Sequence, residues 1–114
     1  MTIFHLTKWT ADRGRLPELE QAIGRALEHV RHDHPSVLSA RCWRVRYGDG
    51  SAMPQFVWQE EYAGLTAFEE GLQRETTPAC AEIWQVIFAC ALPGTVTTSL
   101  WADYSRAGWF ERGQ

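Results

Sequence analysis

His5 and Glu61 are the two side chains in this sequence whose types and placement best suit proton transfer. An imidazole changes charge near neutral pH, and a carboxylate beside it holds one tautomer and raises its basicity. Each falls in a stretch that alternates as a strand, and the two strands are neighbours in the arrangement derived below. Such a pair serves either as an acid–base couple on a cavity wall or as a hydrogen-bonded pair within an interface. Arg41 carries a planar guanidinium that matches a carboxylate or similar anion; its alternative is a structural ion pair with an Asp or Glu. Thr7, Trp9, Gln59 and Trp101 join the same strand faces by alternation and complete the candidate ligand-contacting set.

Other constellations carry less chemistry. "HVRHDHP" sets His29 and His32 three apart at a helix end, a spacing open to a surface metal site, but no fourth ligand accompanies them. Cationic histidines near a helix C-terminus are also favoured by the helix dipole alone. Glu60 and Glu61 are adjacent on a strand, face opposite ways, and cannot form a carboxylate dyad. Cys80 and Cys90 would stand about 15 Å apart along one helix, too far for a disulfide. With Cys42 they read as three reduced, buried thiols of a cytoplasmic protein. The sequence has no Gly-rich phosphate loop, no GxSxG elbow and no HExxH. No metal and no cofactor is expected.

Composition narrows the field. The chain has 114 residues, 45% hydrophobic and 22% charged, enough for one domain with one core. A net charge of -3 lacks the basic footprint of a nucleic-acid binder. "TIFHLTKW" after Met1 has neither the basic nor the apolar region of a signal peptide. The longest apolar run, "VIFACAL", is too short to span a membrane.

The elements that must position these residues follow from periodicity. "TIFHLTKWT" alternates as a strand. Leu19, Ala22, Ile23, Ala26, Leu27 and Val30 make an amphipathic helix that Pro35 stops. "VLSARCWRVRYG" and "QFVWQEEY" are strands joined across the loop "DGSAMP". A helix covers about 64 to 75, a further helical segment begins at Pro78, and Pro93-Gly94 ends it before the strand in "TVTTSLWADY". The order β-α-β-β-α-β is the ferredoxin-like α+β plan, a four-stranded antiparallel sheet with helices on one face. It occupies 1–104, with a polar tail over 105–114. The other sheet face needs a cover, and a second copy of the chain is the expected one. Phe4, Leu6, Phe56, Trp58, Tyr62, Val96 and Leu100 are the more apolar set and are expected beneath the helices. Ile3, His5, Thr7, Trp9, Arg41, Trp43, Val57, Gln59, Glu61, Thr97, Ser99 and Trp101 are expected to face the partner sheet.

"HPSVLSARCWRV" followed by "PQFVWQEEYAGLTAFEEGL" resembles the dimeric α+β barrel superfamily, in particular its antibiotic-biosynthesis-monooxygenase-like members. The resemblance in element order covers nearly the whole chain, and the local motif about 35 residues. It implies a homodimer with sheets packed face to face and a cavity between sheet and helices or within the barrel. It implies no single activity, since members include cofactor-free oxygenases, haem-degrading enzymes and isomerases. Haem-degrading members place an Asn on the first strand and a Trp and a His on the second helix; Thr7, Gly71 and a position near Ala81 stand there instead. No histidine follows residue 34 to serve as an axial ligand, so no haem is expected. The expected function is a cofactor-free oxygenase- or isomerase-like enzyme of a small hydrophobic substrate, with a non-catalytic dimeric ligand-binding or structural protein as the alternative.

Overall fold

The computed structural model describes residues 1–45, 53–103 and 112. In chain order it has β1 (Ile3–Thr10), a single 3-10 turn (Arg13–Arg15), α1 (Leu16–Asp33), β2 (Val37–Arg44), β3 (Gln55–Tyr62), α2 (Leu65–Glu75), α3 (Pro78–Ala89) and β4 (Thr97–Ala102). All strand pairs are antiparallel, in the order β2-β3-β1-β4. This is the expected ferredoxin-like α+β fold. The loop expected over "DGSAMP" and the tail expected over 105–114 lie largely outside the described residues.

Local chemistry sets the element ends. The Asp12 carboxylate accepts a hydrogen bond from Gly14 N–H at 3.0 Å and turns the chain from β1 into α1. Pro17 sits in the first turn of α1, where its missing N–H costs nothing. Pro78 does the same for α3, so the second helical region is two segments that break at Thr76 and Thr77. Leu19, Ala22 and Ala26 are the buried stripe of α1.

The core lies between the sheet and the helices. Trp9 stacks on Phe56 at 5.8 Å between ring centroids, and the Trp84 ring of α3 meets Trp58 edge-on at 5.1 Å and Trp9 at 6.3 Å. Around them pack Leu19, Ala22, Ala26, Ile87 and Cys90, all buried. Edge-to-face rings of this kind add about 0.5–1.5 kcal/mol per pair beyond area burial.

Strand pairing corrects the expected faces of β1. Ile3, His5, Thr7 and Trp9 pair with Tyr62, Glu60, Trp58 and Phe56, and directly opposed residues share a face. Because Phe56, Trp58 and Tyr62 are buried under the helices as expected, so are Ile3, Thr7 and Trp9. Phe4 and Leu6 point the other way, together with Val57, Gln59 and Glu61. On β4, Leu100 pairs with His5 and lies on the helix side but is exposed, because among the described residues no helix covers the edge strand there. Alternation fixes which residues of one strand share a face, but not which face of the neighbour they join. Ranking by apolarity put Phe4 and Leu6 inside; the structure puts the His5 and Thr7 set inside, because polar groups line a cavity on that side.

Among the described residues, no helix covers the far face of the sheet. Trp43 and Trp101 are 48% and 61% exposed, opposite Val57 and Phe4 respectively. Among the described residues, no helix is long and apolar enough to cross a membrane.

Candidate functional site

Three ionisable side chains from three elements meet beneath α2. His5 of β1 lies opposite Glu60 of β3, and Glu75 comes down from the last turn of α2. His5 Nδ1 is 3.6 Å from Glu60 Oε1 and 4.0 Å from Glu75 Oε1. At 3.6 Å the first pair is an ionic contact, slightly long for a hydrogen bond. The Glu60 carboxylate, only 3% exposed, accepts a hydrogen bond from the Tyr62 hydroxyl at 2.9 Å.

Packing explains why this cluster holds its shape. Phe68 of α2 stands edge-on to both His5 and Tyr62, with centroids at 5.3 and 5.4 Å. One turn further along, α2 presents Gly71 to the Tyr62 ring. A Cβ at Gly71 would lie 2.7 Å from Tyr62 Cε1 and 2.8 Å from its hydroxyl oxygen, closer than real contacts allow. The glycine therefore leaves the space in which Tyr62 reaches Glu60. The same crowding leaves no room for a larger side chain at this position without displacing Tyr62.

The electrostatics follow from burial and mutual contact. Burial acts to raise the Glu60 pKa, but the His5 contact and the Tyr62 hydroxyl donor outweigh it, so Glu60 is held below the usual carboxylate value. His5 is raised above 6.5, chiefly by Glu60, against the opposing effect of burial. Glu75 is pushed up to about 7 by burial and by the charge of Glu60, with His5 partly offsetting them. At neutral pH the cluster thus holds an ionised Glu60, an imidazole inclined to be protonated, and a Glu75 that titrates. Cys80 feels the same two carboxylates; burial first, and then they, raise its thiol to about 11. All three cysteines are free and their pKa values are raised, chiefly by burial, so none is an activated thiolate.

Beside the cluster is a cavity of about 220 Å³. His5, Glu60 and Glu75 form its polar corner, Thr7 and Thr98 its floor, and Trp58, Trp84 and Phe88 its aromatic walls. Two buried polar atoms here lack a hydrogen-bond partner, His5 Nδ1 and Trp58 Nε1. Buried donors are nearly always satisfied, so Trp58 N–H is a donor available to a ligand oxygen.

Of the residues expected at a site, the structure brings only His5 and Thr7 to this cavity. Trp9 is in the core behind it, stacked on Phe56. Glu61, Gln59, Arg41 and Trp101 are on the opposite face of the sheet, and the expected meeting of His5 with Glu61 does not occur. Glu61 accepts a hydrogen bond from Ser39 Oγ at 2.8 Å, Arg41 lies over the Trp43 ring at 5.8 Å, and the Trp101 indole donates to Ser99 Oγ. The histidines of α1 pair with acids along their own helix, His29 with Asp33 and His32 with Glu28, both at 3.3 Å. Glu60 was legible in advance, since alternation in "QFVWQEEY" places it on the face of Phe56, Trp58 and Tyr62, and a carboxylate on a core face signals a site. Glu75, at the far end of α2, carries no such local signal.

No protein-family model matches the chain, and no curated protein matches it. Solved structures do match it. An antibiotic biosynthesis monooxygenase superposes with a TM-score of 0.70 at 16% identity, over 90% of this chain and 99% of that one. A variant of SnoaB, a cofactor-independent oxygenase from Streptomyces nogalater, gives 0.70 at 15% identity, over 91% and 94%. A dimeric ferredoxin-like protein of unknown function from Jannaschia sp. CCS1 gives 0.71 at 12% identity, over 90% and 100%. The chain therefore has the fold of the antibiotic-biosynthesis-monooxygenase-like ferredoxin-fold proteins. At these identities the likeness is one of fold.

Proposed function

We propose that this protein is an acid–base enzyme that takes a proton from a small, largely apolar, flat substrate in the cavity between sheet and helices, without a bound organic cofactor. The observation that carries this reading is the meeting of His5, Glu60 and Glu75 at one corner of an otherwise aromatic cavity. Glu75 is the base: its carboxylate accepts the proton from a substrate C–H or O–H, and the electron pair stays on the substrate as an enolate or phenolate. Protonated His5, held by Glu60, and the unpartnered Trp58 N–H lie where they can stabilise the oxygen on which that charge collects. A base that titrates near the working pH is the most effective kind. Thr7 contributes to substrate contact from the floor of the cavity. A cofactor-independent oxygenase among the similar structures supports the absence of an organic cofactor.

The protein acts as a homodimer through the bare sheet face. Trp43 and Trp101 on that face, with Phe4, Leu6 and Val57 between them, form an apolar surface of the kind a partner covers, and one similar structure is dimeric. Glu61, Gln59 and Arg41 then belong to the interface.

Exchange of solvent deuterium into a panel of aromatic ketones and phenols with acidic C–H bonds tests the enzyme reading. The wild type accelerates exchange into at least one compound, and Glu75→Gln and His5→Ala remove the acceleration. Equal rates for wild type, both variants and buffer refute it.

A further inference from the structure

We propose that His5, Glu60 and Glu75 together bind a divalent transition-metal ion, with the cavity supplying its open coordination position. The argument rests on donor positions and stands apart from the acid–base reading above. Donor atoms about 2.1 Å from a tetrahedral ion stand about 3.4 Å from one another. Here His5 Nδ1 is 3.6 and 4.0 Å from the two carboxylate oxygens, and one ligand atom from each residue lies within 4.8 Å of the others. An inward shift of under about 1 Å completes the set. The residues divide suitably for that shift. His5 and Glu60 are fixed on paired central strands, whereas Glu75, with a side chain 31% exposed, ends α2 and is free to adjust.

Two independent features of the corner point to a ligand there. His5 Nδ1 is buried, faces both carboxylates and has no hydrogen-bond partner. Trp58, 1% exposed, lines the same cavity with an indole N–H that also lacks an acceptor. An ion bound by the three side chains gives His5 Nδ1 its partner, and a water or anion on the ion's open position, turned to the cavity, accepts from Trp58. The charge also fits, because two carboxylates in an aromatic-walled corner are neutralised by a dication. One imidazole nitrogen with two carboxylate oxygens selects zinc, manganese, iron(II) or cobalt(II) over calcium or copper(I). Among the described residues no other group of three ligating side chains comes as close together. An ion in this place holds the lone pairs that proton transfer uses, so the metal-loaded and acid–base forms are alternative states of one corner.

Untagged protein stripped with chelator and titrated with Co²⁺ tests the proposal, read by visible absorption and by calorimetry. One equivalent binds per chain, with visible bands of a mixed nitrogen–oxygen site. His5→Ala and Glu75→Gln each weaken binding at least about 10-fold, since even residues that only orient ligands cost about 10–100-fold. The double change His29→Ala, His32→Ala leaves it unaltered. Glu75→Gln alters a partly exposed helix end, so it decides the matter if His5→Ala fails to fold. Absence of stoichiometric binding overturns the proposal. So does binding that survives Glu75→Gln or is lost with the α1 histidines.

Discussion

Replacing Tyr62 with Phe isolates the bond that holds the buried carboxylate. The ring stays, with its edge contact to Phe68 and its seat against Gly71, and only the hydroxyl goes. That hydroxyl donates to Glu60 at 2.9 Å, and Glu60 is 3% exposed, so water does not replace it freely. A hydrogen bond to a charged group is worth about 1.5–3 kcal/mol, and the loss should fall in that range. For a domain stabilised by about 5–15 kcal/mol this is a large fraction. The pH dependence identifies the cause. The Glu60 pKa is lower in the folded chain than in the unfolded one, so its contribution is present above the unfolded value of about 4.5 and is lost as pH falls through the folded value. The stability gap between wild type and Tyr62→Phe is therefore full at pH 7 and shrinks as the pH drops below about 4.5. Urea unfolding followed by tryptophan fluorescence at several pH values measures both. A gap below about 0.5 kcal/mol at pH 7, or one that is the same at every pH, refutes the reasoning.

Gly71→Ala places a methyl 2.7 Å from the Tyr62 ring and should cost about 1–3 kcal/mol by overpacking, seen as a lower urea midpoint, whereas Gly24→Ala, with open space around it, should not. Glu75→Gln should stabilise the metal-free protein by about 1–3 kcal/mol at pH 8 and leave it unchanged at pH 4, because a carboxyl raised to about 7 in the fold opposes folding only when ionised; thermal melts in chelator check this. Trp101→Asp, which puts a charge on the bare sheet face, should convert a dimer to monomers in analytical ultracentrifugation at micromolar concentration, while a monomeric wild type would contradict the homodimer.

The fold was legible because its signals are periodic. The stripe from Leu19 to Val30, the alternation around Trp58 and the two prolines that start helices each follow from local chemistry. The site was half legible. His5 and Thr7 stood out by type and strand position. Their face did not, because β1 carries apolar residues on both sides, and only pairing with β3 decides between Phe4 with Leu6 and Ile3 with Trp9. That one choice moved Glu61, Gln59, Arg41 and Trp101 away from His5 and brought Glu60 to it. Glu75 depends on where α2 ends above the sheet, which no periodicity states. The role of Gly71 is legible only as a contact, since the Tyr62 ring that fills its place is nine positions earlier in the chain.

The central claim is that His5, Glu60 and Glu75 meet as one electrostatic cluster in the cavity wall. NMR titration of the His5 imidazole in metal-free protein tests it most directly. The midpoint should lie above the ordinary value of 6.5, and Glu60→Gln should lower it, because Glu60 is the main cause of the rise. A midpoint at or below 6.5 that does not respond to Glu60→Gln would contradict the account.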